Sequence, residues 1–491
     1  MPDPQKYFEE LWTSFSPWVH NPFTIAALIS ILILVIFAVF KFNVGKAQAF
    51  NQIKLRKGRI DFSHKSLDSH SLTLAASRSG KTVNILYPLL SQSFKENTPA
   101  FIYDYKFPDL TKYLYNLSLV EKKSGVKNFC VNFSDPSHSH RVNPLAGLTA
   151  THEAVQLAKT IISNFNKGKD DNSYWSKSAI GLLSSTIWFF TRYQGGRFSN
   201  LPTVIEFLTT TTDRQRLIEI LSSDAESKIL ASNVISTMDS PETIASQIST
   251  LQADLGAYAT DEVYWVMSAN SPGFTGFDLN NPANPTRLVC GNNPELPDFC
   301  TPLVSLLAEV SFMKMVKDGR LKSSFLLDEA GTFCIPSLPS RIATVGGYGI
   351  NIDLACQDFA QLQHAYGRAN AQAMRGSLST KIYGKLSEGL QEISDSFGEV
   401  NEKNVSYSYN SKGERSRNVS VTRVPAVKRE FLSALQPGEF IVQDKTGKRF
   451  KQKFGYSPAK LLDLPVLTYV TRQMLKKNRN QIAQQVAAIN V

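Results

Sequence analysis

The sequence predicts an α/β protein whose sheet is interrupted by a long all-helical insertion and preceded by one membrane helix. Three observations carry that expectation. Short apolar runs end in a phosphate-loop motif at residues 72–82 and in an acidic pair at residues 324–329, residues 151–285 almost lack strand patterning, and residues 23–40 form an uncharged apolar run.

The apolar run comes first. Phe23 to Phe40 reads FTIAALISILILVIFAVF, and at about 1.5 Å per residue a helix over about residues 21–40 crosses a hydrocarbon core of about 30 Å. It exceeds the apolar core of a secretory signal, and no small-residue cleavage site follows Phe40. Lys41, Lys46, Lys54, Arg56, Lys57 and Arg59 crowd its C-terminal flank, whereas Asp3, Glu9 and Glu10 outnumber Lys6 ahead of it. The positive-inside bias therefore predicts a single-pass anchor within residues 1–60, with the bulk of the chain in the cytoplasm. Trp12, Phe15 and Trp18 recur at helical spacing ahead of the span, as an interfacial helix would place them.

Residues 61–150 begin the nucleotide-binding part. Leu72-Thr73-Leu74-Ala75-Ala76-Ser77-Arg78-Ser79-Gly80-Lys81-Thr82 reads as a strand, a phosphate loop and the start of a helix. Gly80 lets the backbone approach and turn, and the N–H groups of Ala75, Ala76, Ser77, Arg78, Ser79 and Gly80 are the candidate cradle for phosphate oxygens. Lys81 is expected to reach the β/γ-phosphates of ATP and Thr82 to offer its hydroxyl to Mg²⁺. Ala75 stands where such loops usually begin with glycine. A phosphate loop alone names no reaction, but Ser324-Phe325-Leu326-Leu327-Asp328-Glu329 supplies an apolar strand ending in two carboxylates. We assign Asp328 to the metal shell and Glu329 to the general base that activates water. A further apolar strand, Ile350 to Cys356, ends at Gln357; beside the Asp-Glu strand of a parallel sheet it would place Gln357 near the γ-phosphate as a sensor.

Between these halves, from 151 to 285, helical periodicity covers Ala154–Phe165, Tyr174–Tyr193, Leu201–Thr210, Arg214–Leu221, Lys228–Thr237 and Glu242–Tyr258. The apolar stretch 179–190 is too short to span a membrane and reads as a core helix of this insertion. The α/β pattern resumes over 286–465, with strands at 286–290, 380–383 and 440–444 and a helix over 302–317. Residues 402–424 are Ser/Asn-rich and read as a mobile loop or irregular hairpin. A helical tail closes the chain at 466–491, free to dock on a partner or to fray.

Composition excludes a disordered chain and a disulfide scaffold: 491 residues are 42% hydrophobic and 11% aromatic, with five scattered cysteines and no C-x-x-C. His138 and His140 stand in a loop without an acid or thiol at ligand spacing, and read as part of a solvated turn. The net charge of +11 is C-terminal: residues 401–491 hold seventeen Lys/Arg against six Asp/Glu, and the remaining thirty-six of each sign cancel. Arg415, Arg417 and Arg423, then Lys445, Lys448, Arg449, Lys451 and Lys453, interleave with Tyr407, Tyr409, Phe450 and Phe454. Such a mixture suits a nucleic-acid backbone, an anionic lipid surface or a solvated hairpin alike.

The order of motifs resembles the TraG/TraD-type coupling proteins of type IV secretion. The likeness rests on Leu326 to Ala330, Leu338-Pro339, Ala343 to Ile350, Gln357, Gln361-Leu362 and Tyr366-Gly367, with Phe101 to Lys106 and Val142 to Leu145 upstream. It implies a RecA-like P-loop NTPase fold with an inserted all-α domain, assembled as a homo-hexameric ring at the bacterial inner membrane. It further implies that ATP hydrolysis drives DNA, as a relaxase-bound single strand, or another secreted protein toward the subunits of a type IV secretion channel. Gly346 departs from the arginine many members carry before Gly-Tyr-Gly, which leaves Arg341, Arg368 and Arg375 as nearby cations. Ala75 and Gly346 together leave room for a second reading, a nucleotide-gated docking platform with little motor activity, and a third in which the cargo is protein alone.

Overall fold

The structure is a computed structural model and describes residues 56–57, 60, 70–120, 124–166, 173–269, 274–409, 413, 415–455 and 460–489. The expected interfacial and membrane helices at residues 12–40 lie outside these, and among the described residues no helix is long and apolar enough to cross a membrane. The described residues divide into two compact units, one within 56–393 and 432–491, the other within 394–431.

In chain order the strands are β1 (Arg56–Lys57), β2 (Ser71–Leu74), β3 (Ala100–Asp104), β4 (Lys127–Val131), β5 (Thr286–Gly291), β6 (Ser323–Leu327), β7 (Ile350–Cys356), β8 (Thr380–Tyr383), β9 (Glu399–Tyr409), β10 (Arg415–Pro425), β11 (Glu439–Gln443) and β12 (Arg449–Lys453). All but β9 and β10 share one sheet, ordered β1-β12-β11-β8-β2-β7-β6-β3-β5-β4. Every pairing from β8 to β4 is parallel, while β11 runs antiparallel to both its neighbours. Strands β2, β3, β5, β6 and β7 are buried along their whole length; β3 and β6 carry unbroken apolar runs, whereas the polar residues that alternate in β2 and β7 bond one another inside, Ser71 and Asn351 both donating to Asp353. Leu89, Leu90 and Phe94 of the helix Tyr87–Lys95 and Leu110 and Leu114 of the helix Asp109–Val120 pack with Ile102, Val289, Leu326, Ala355 and Ile382 of the sheet. This core clamps the strand carrying the phosphate loop to the strand carrying the acids.

Between β4 and β5 the described residues fold into the helices Thr151–Phe165, Tyr174–Arg192, Leu201–Thr210, Arg214–Ser222, Ala225–Leu230, Ser232–Ile235, Pro241–Gly256 and Asp261–Met267. Ser173, Asn200, Asp213, Asp224 and Thr260 each accept a hydrogen bond from the backbone N–H three residues on, so polar caps set where five of these helices begin. Leu182 to Phe190 is buried, as a core helix requires. The last helix, Arg472–Ala487, folds back on this segment: Leu475, Ile482 and Val486 are buried, Arg479 pairs with Asp261 at 3.2 Å, and Asn478 accepts from Arg141 at 3.0 Å.

Residues 399–425 depart from expectation. In place of a mobile loop or irregular hairpin, β9 and β10 form a regular antiparallel ribbon paired from Glu399 with Pro425 to Tyr409 with Arg415. The Ser/Asn content suggested a loop, but Val400, Val405, Val419, Val421 and Val424 recur along both strands, and β-branched residues favour extended backbone. At the base, Ala426 N–H donates to the Gly398 carbonyl at 2.7 Å and the Ser394 hydroxyl to the Val427 carbonyl at 2.6 Å. The five cysteines are all buried and none is in a disulfide.

Candidate functional site

Register brings the motif-bearing loops together at the carboxyl ends of adjacent parallel strands, the edge where open α/β sheets bind ligands. Leu74 pairs with Cys356, Leu327 with Leu354, and Tyr103 with Leu327, so Ala75, Gln357, Asp328 and Asp104 leave the sheet side by side. The Ala75 N–H donates to the Cys356 carbonyl at 3.1 Å and the Asp328 N–H to the Tyr103 carbonyl at 3.2 Å. β7 thus lies beside β6, as expected, and β2 flanks it on the other side.

The loop itself is steeply bent. Arg78 takes φ 61° and Gly80 φ 91°, and a Cβ at Gly80 would stand 2.4 Å from Asn84 Nδ2, so only glycine fits. The chain then enters a helix whose first turn, Thr82–Leu86, is wound as a π-turn, a widening common at functional sites. Behind the loop, the Gly438 N–H donates to the Ser79 carbonyl at 2.8 Å and Ala76 N–H to the Lys385 carbonyl at 2.8 Å. These supports come from β8 and the turn before β11, which no motif had marked.

Ala75 is accommodated by a compensating glycine. A Cβ at Gly384, just past β8, would lie 2.8 Å from Ala75 Cβ and 3.0 Å from the Phe440 ring, so the methyl that Ala75 adds occupies space that Gly384 leaves. Replacing Gly384 with valine is expected to overpack this corner and destabilise the protein by about 1–3 kcal/mol. Ala75→Gly in that background should restore part of the loss, and thermal melts of the single and double variants test the pairing.

The three charged residues assigned from sequence converge. Lys81 Nζ bonds Glu329 Oε1 and lies 3.4 Å from Asp328 Oδ1, with the Lys81, Asp328 and Glu329 side chains only 9%, 5% and 3% exposed. Burial alone would lower the Lys81 pKa, but the charges of Asp328 and Glu329 outweigh it and hold the ammonium above its ordinary value. Burial pushes Asp328 up to about 6 against the pull of Lys81. Asp104, at the end of β3, is pushed by burial up to about 7 although Thr111 donates to it through both N–H and hydroxyl, at 2.9 and 2.7 Å. Glu329 itself holds φ 53°, a left-handed conformation uncommon for a residue with a side chain and found where surrounding structure imposes it.

Several polar atoms here lack hydrogen-bond partners despite burial: Ser79 Oγ, Glu329 Oε2 and Asp104 Oδ1, with Asp328 Oδ1 met by the Lys81 ammonium alone at 3.4 Å. Orphaned acceptors are costly in an interior, and three oxygens of this set are carboxylate. Their chemistry suits a hard divalent cation with an anion held in the adjoining backbone cradle. Thr82 is half-buried at the start of the helix, and Gln357 half-buried directly after β7.

The acid-bearing turn is also braced by the segment that carries Gln361-Leu362 and Tyr366-Gly367. A Cβ at Gly331 would meet Gln361 Cβ at 2.7 Å, so the helix Phe359–Tyr366 packs directly on the turn after Glu329. Of the three arginines near Gly346, Arg341 is held by the fully buried Glu309 at 3.4 Å and by Ser337, and Arg375 by Glu392 at 3.2 Å and by the Phe359 ring. Arg368 is exposed at the first turn of the helix Arg368–Ser377. His138 meets Asp135 at 2.6 Å within the turn, and His140 meets the backbone of Cys130 on β4 at 3.1 Å.

Residues 37–458 match the family described as type IV secretory system conjugative DNA transfer. The conjugal transfer protein TraG of Escherichia coli is 26% identical over 340 residues, 63% of this chain and 51% of that protein; the chain spans about half the length of this curated relative. Among solved structures, the plasmid coupling protein TrwB in complex with ADP and Mg²⁺ superposes with a TM-score of 0.61 at 16% identity, covering 88% of this chain and 94% of that one. VirB4 of Thermoanaerobacter pseudethanolicus gives a TM-score of 0.50 at 14% identity, over 83% and 96%. At such identities the likeness to solved structures shows the fold, a RecA-like α/β core built on a large, mostly parallel sheet.

Proposed function

The chain belongs to the type IV secretory system conjugative DNA transfer family, the TraG/TraD-like coupling proteins, and on that premise we propose that it is a membrane-anchored ATPase. In this reading it moves DNA, or a DNA-bound protein such as a relaxase, toward a secretion channel. The observation that carries the reading is the convergence of Lys81, Asp328 and Glu329 beside a glycine-bent loop with buried, unpartnered oxygens.

Solved TrwB complexes hold ADP with Mg²⁺ and a non-hydrolysable ATP analogue; ATP with Mg²⁺, bound here, would supply the phosphoanhydride bond whose hydrolysis releases free energy. Of the expected cradle, the N–H groups of Ala75, Ala76 and Ser79 are already taken by the carbonyls of Cys356, Lys385 and Ala76, so those of Ser77, Arg78 and Gly80 would hold phosphate oxygens, while Thr82 with Asp328 would hold the cation. Lys81 exchanges its carboxylate partners for the β/γ-phosphates, which frees Glu329. Glu329 Oε2, buried without a hydrogen-bond partner, would then be placed to take the proton of a water that attacks the bound phosphate, the general-base role. Gln357 follows the strand between the loop and the acids, where a change at the γ-phosphate is felt by β7 and the helix Phe359–Tyr366 behind it. A single-pass anchor at residues 21–40 places this site on the cytoplasmic side of an inner membrane, and a homo-hexameric ring in contact with channel subunits completes the proposal.

The platform reading has weakened on one of its two supports. Ala75 is packed against Gly384, so the loop is built for alanine and its substitution is no sign of a degraded site. Hydrolysis by the full-length protein in detergent, measured by phosphate release with and without single- and double-stranded DNA, tests the choice. DNA is expected to raise turnover severalfold; tight nucleotide binding with no turnover under any DNA condition would leave the platform as the better account.

A further inference from the structure

Pairing register sorts the β9–β10 ribbon into two faces of unlike chemistry. Residues directly opposite share a face and successive residues alternate, so Lys403, Arg415, Arg417 and Arg423 all fall on one side. Val405, Val419, Val421 and Tyr407 stand among them, opposite or beside the cations. The reverse side carries uncharged Asn404, Ser406, Asn418 and Ser420, and its one described acid, Glu402, already pairs with Lys428 at 3.7 Å. On the cationic side the described acid is Glu399, at the base of the ribbon opposite Pro425.

This face is uncovered: Val405, Tyr407, Val419 and Val421 are 41%, 47%, 51% and 58% exposed. Among the described residues, no ion pair ties Lys403, Arg417 or Arg423 to a carboxylate. A solvated hairpin with no partner has no reason to gather all its described cations on one side among three of its five valines, Val400 and Val424 lying on the other.

We propose that this face binds duplex DNA, with the ribbon lying in the major groove. The proposal rests on the chain acting in DNA transfer, and it names the surface that touches the duplex. A major groove about 12 Å wide admits a two-stranded ribbon. Eleven residues per strand at about 3.4 Å each span about 37 Å, close to one helical turn of B-DNA at about 34–36 Å. Cations along that length meet phosphates and guanine edges, and valine methyls meet the thymine methyl. Single-stranded DNA is the poorer fit, because it needs open aromatic platforms and the Arg415 guanidinium sits 3.6 Å over the centre of the Tyr407 ring. An anionic membrane is poorer still, since interfacial surfaces insert Trp, Phe or Leu where this face offers valine.

The test is anisotropy of a fluorescein-labelled 30-base-pair duplex titrated with the full-length protein in detergent, across about 50–200 mM salt. The triple variant Lys403→Ala/Arg417→Ala/Arg423→Ala is expected to lose at least tenfold in affinity. Its slope of log affinity against log salt should be shallower by about two to three, since each phosphate contact contributes about 0.9. Asn404→Ala/Asn418→Ala/Ser420→Ala, on the reverse face, should bind within twofold of the parent, and both variants should keep the DNA-free hydrolysis rate. Unchanged affinity and slope in the triple variant would overturn the proposal. So would a loss confined to a 30-nucleotide single strand, or one confined to phosphatidylserine vesicles. The same comparison in a Lys81→Ala background separates the two readings: a failed motor leaves the ribbon-dependent binding intact, and a failed ribbon leaves hydrolysis intact.

Discussion

Lys81→Ala is expected to reduce nucleotide hydrolysis by at least about 10²–10³, the scale of removing one preorganised charge-stabilising donor from a dry site. A second effect is expected in the absence of nucleotide. Asp328 and Glu329 are almost fully buried and share Lys81 as their counter-ion, so its removal leaves two uncompensated carboxylates, and breaking a buried pair this way costs about 3–5 kcal/mol. The nucleotide-free variant should therefore melt at lower temperature than the parent. Adding Glu329→Gln should recover part of that stability without recovering activity, because it removes one of the stranded charges. Parent-like hydrolysis and melting in Lys81→Ala would show that the three groups do not act as one site.

Glu329→Gln alone separates binding from chemistry. The amide keeps the shape and a hydrogen-bonding oxygen for Lys81 but cannot take a proton from water, so turnover should fall by about 10²–10⁴. Nucleotide affinity, followed with a fluorescent ATP analogue, should stay near the parent value, because the phosphate cradle and Asp328 are untouched. A variant that still turns over within tenfold of the parent would mean that Glu329 is not the base; Asp104, buried nearby at the end of β3 with one free oxygen, would then be the next carboxylate to test.

Much of this site was legible before the structure, and for a local reason. The phosphate loop, the acidic pair and the strand ending at Gln357 are contiguous segments whose geometry is set by residues within each: Gly80 by its own φ and its clash with Asn84, the strands by short runs rich in β-branched and other apolar residues. Five of the eight helices between β4 and β5 begin at polar caps that sequence also displays. The ribbon of residues 399–425 was misjudged because composition spoke louder than spacing. Serine and asparagine signal turns, whereas the β-branched residues that extend the chain were fewer, and the two strands stabilise one another only once paired.

What patterning determines in this chain is the set of parts: one anchor-length apolar run, one phosphate loop, one pair of acids, and helices between. What only tertiary packing decides is which parts meet. Gly384 matters because β8 lies beside β2, and nothing near residue 384 announces that its missing side chain makes room for Ala75, 309 positions away. Arg341 and Arg375 look equally available in sequence until Glu309 and Glu392 are seen to hold them. Contacts between distant segments depend on sheet order, and sheet order is settled by burial summed over the whole core rather than by any stretch of residues within it.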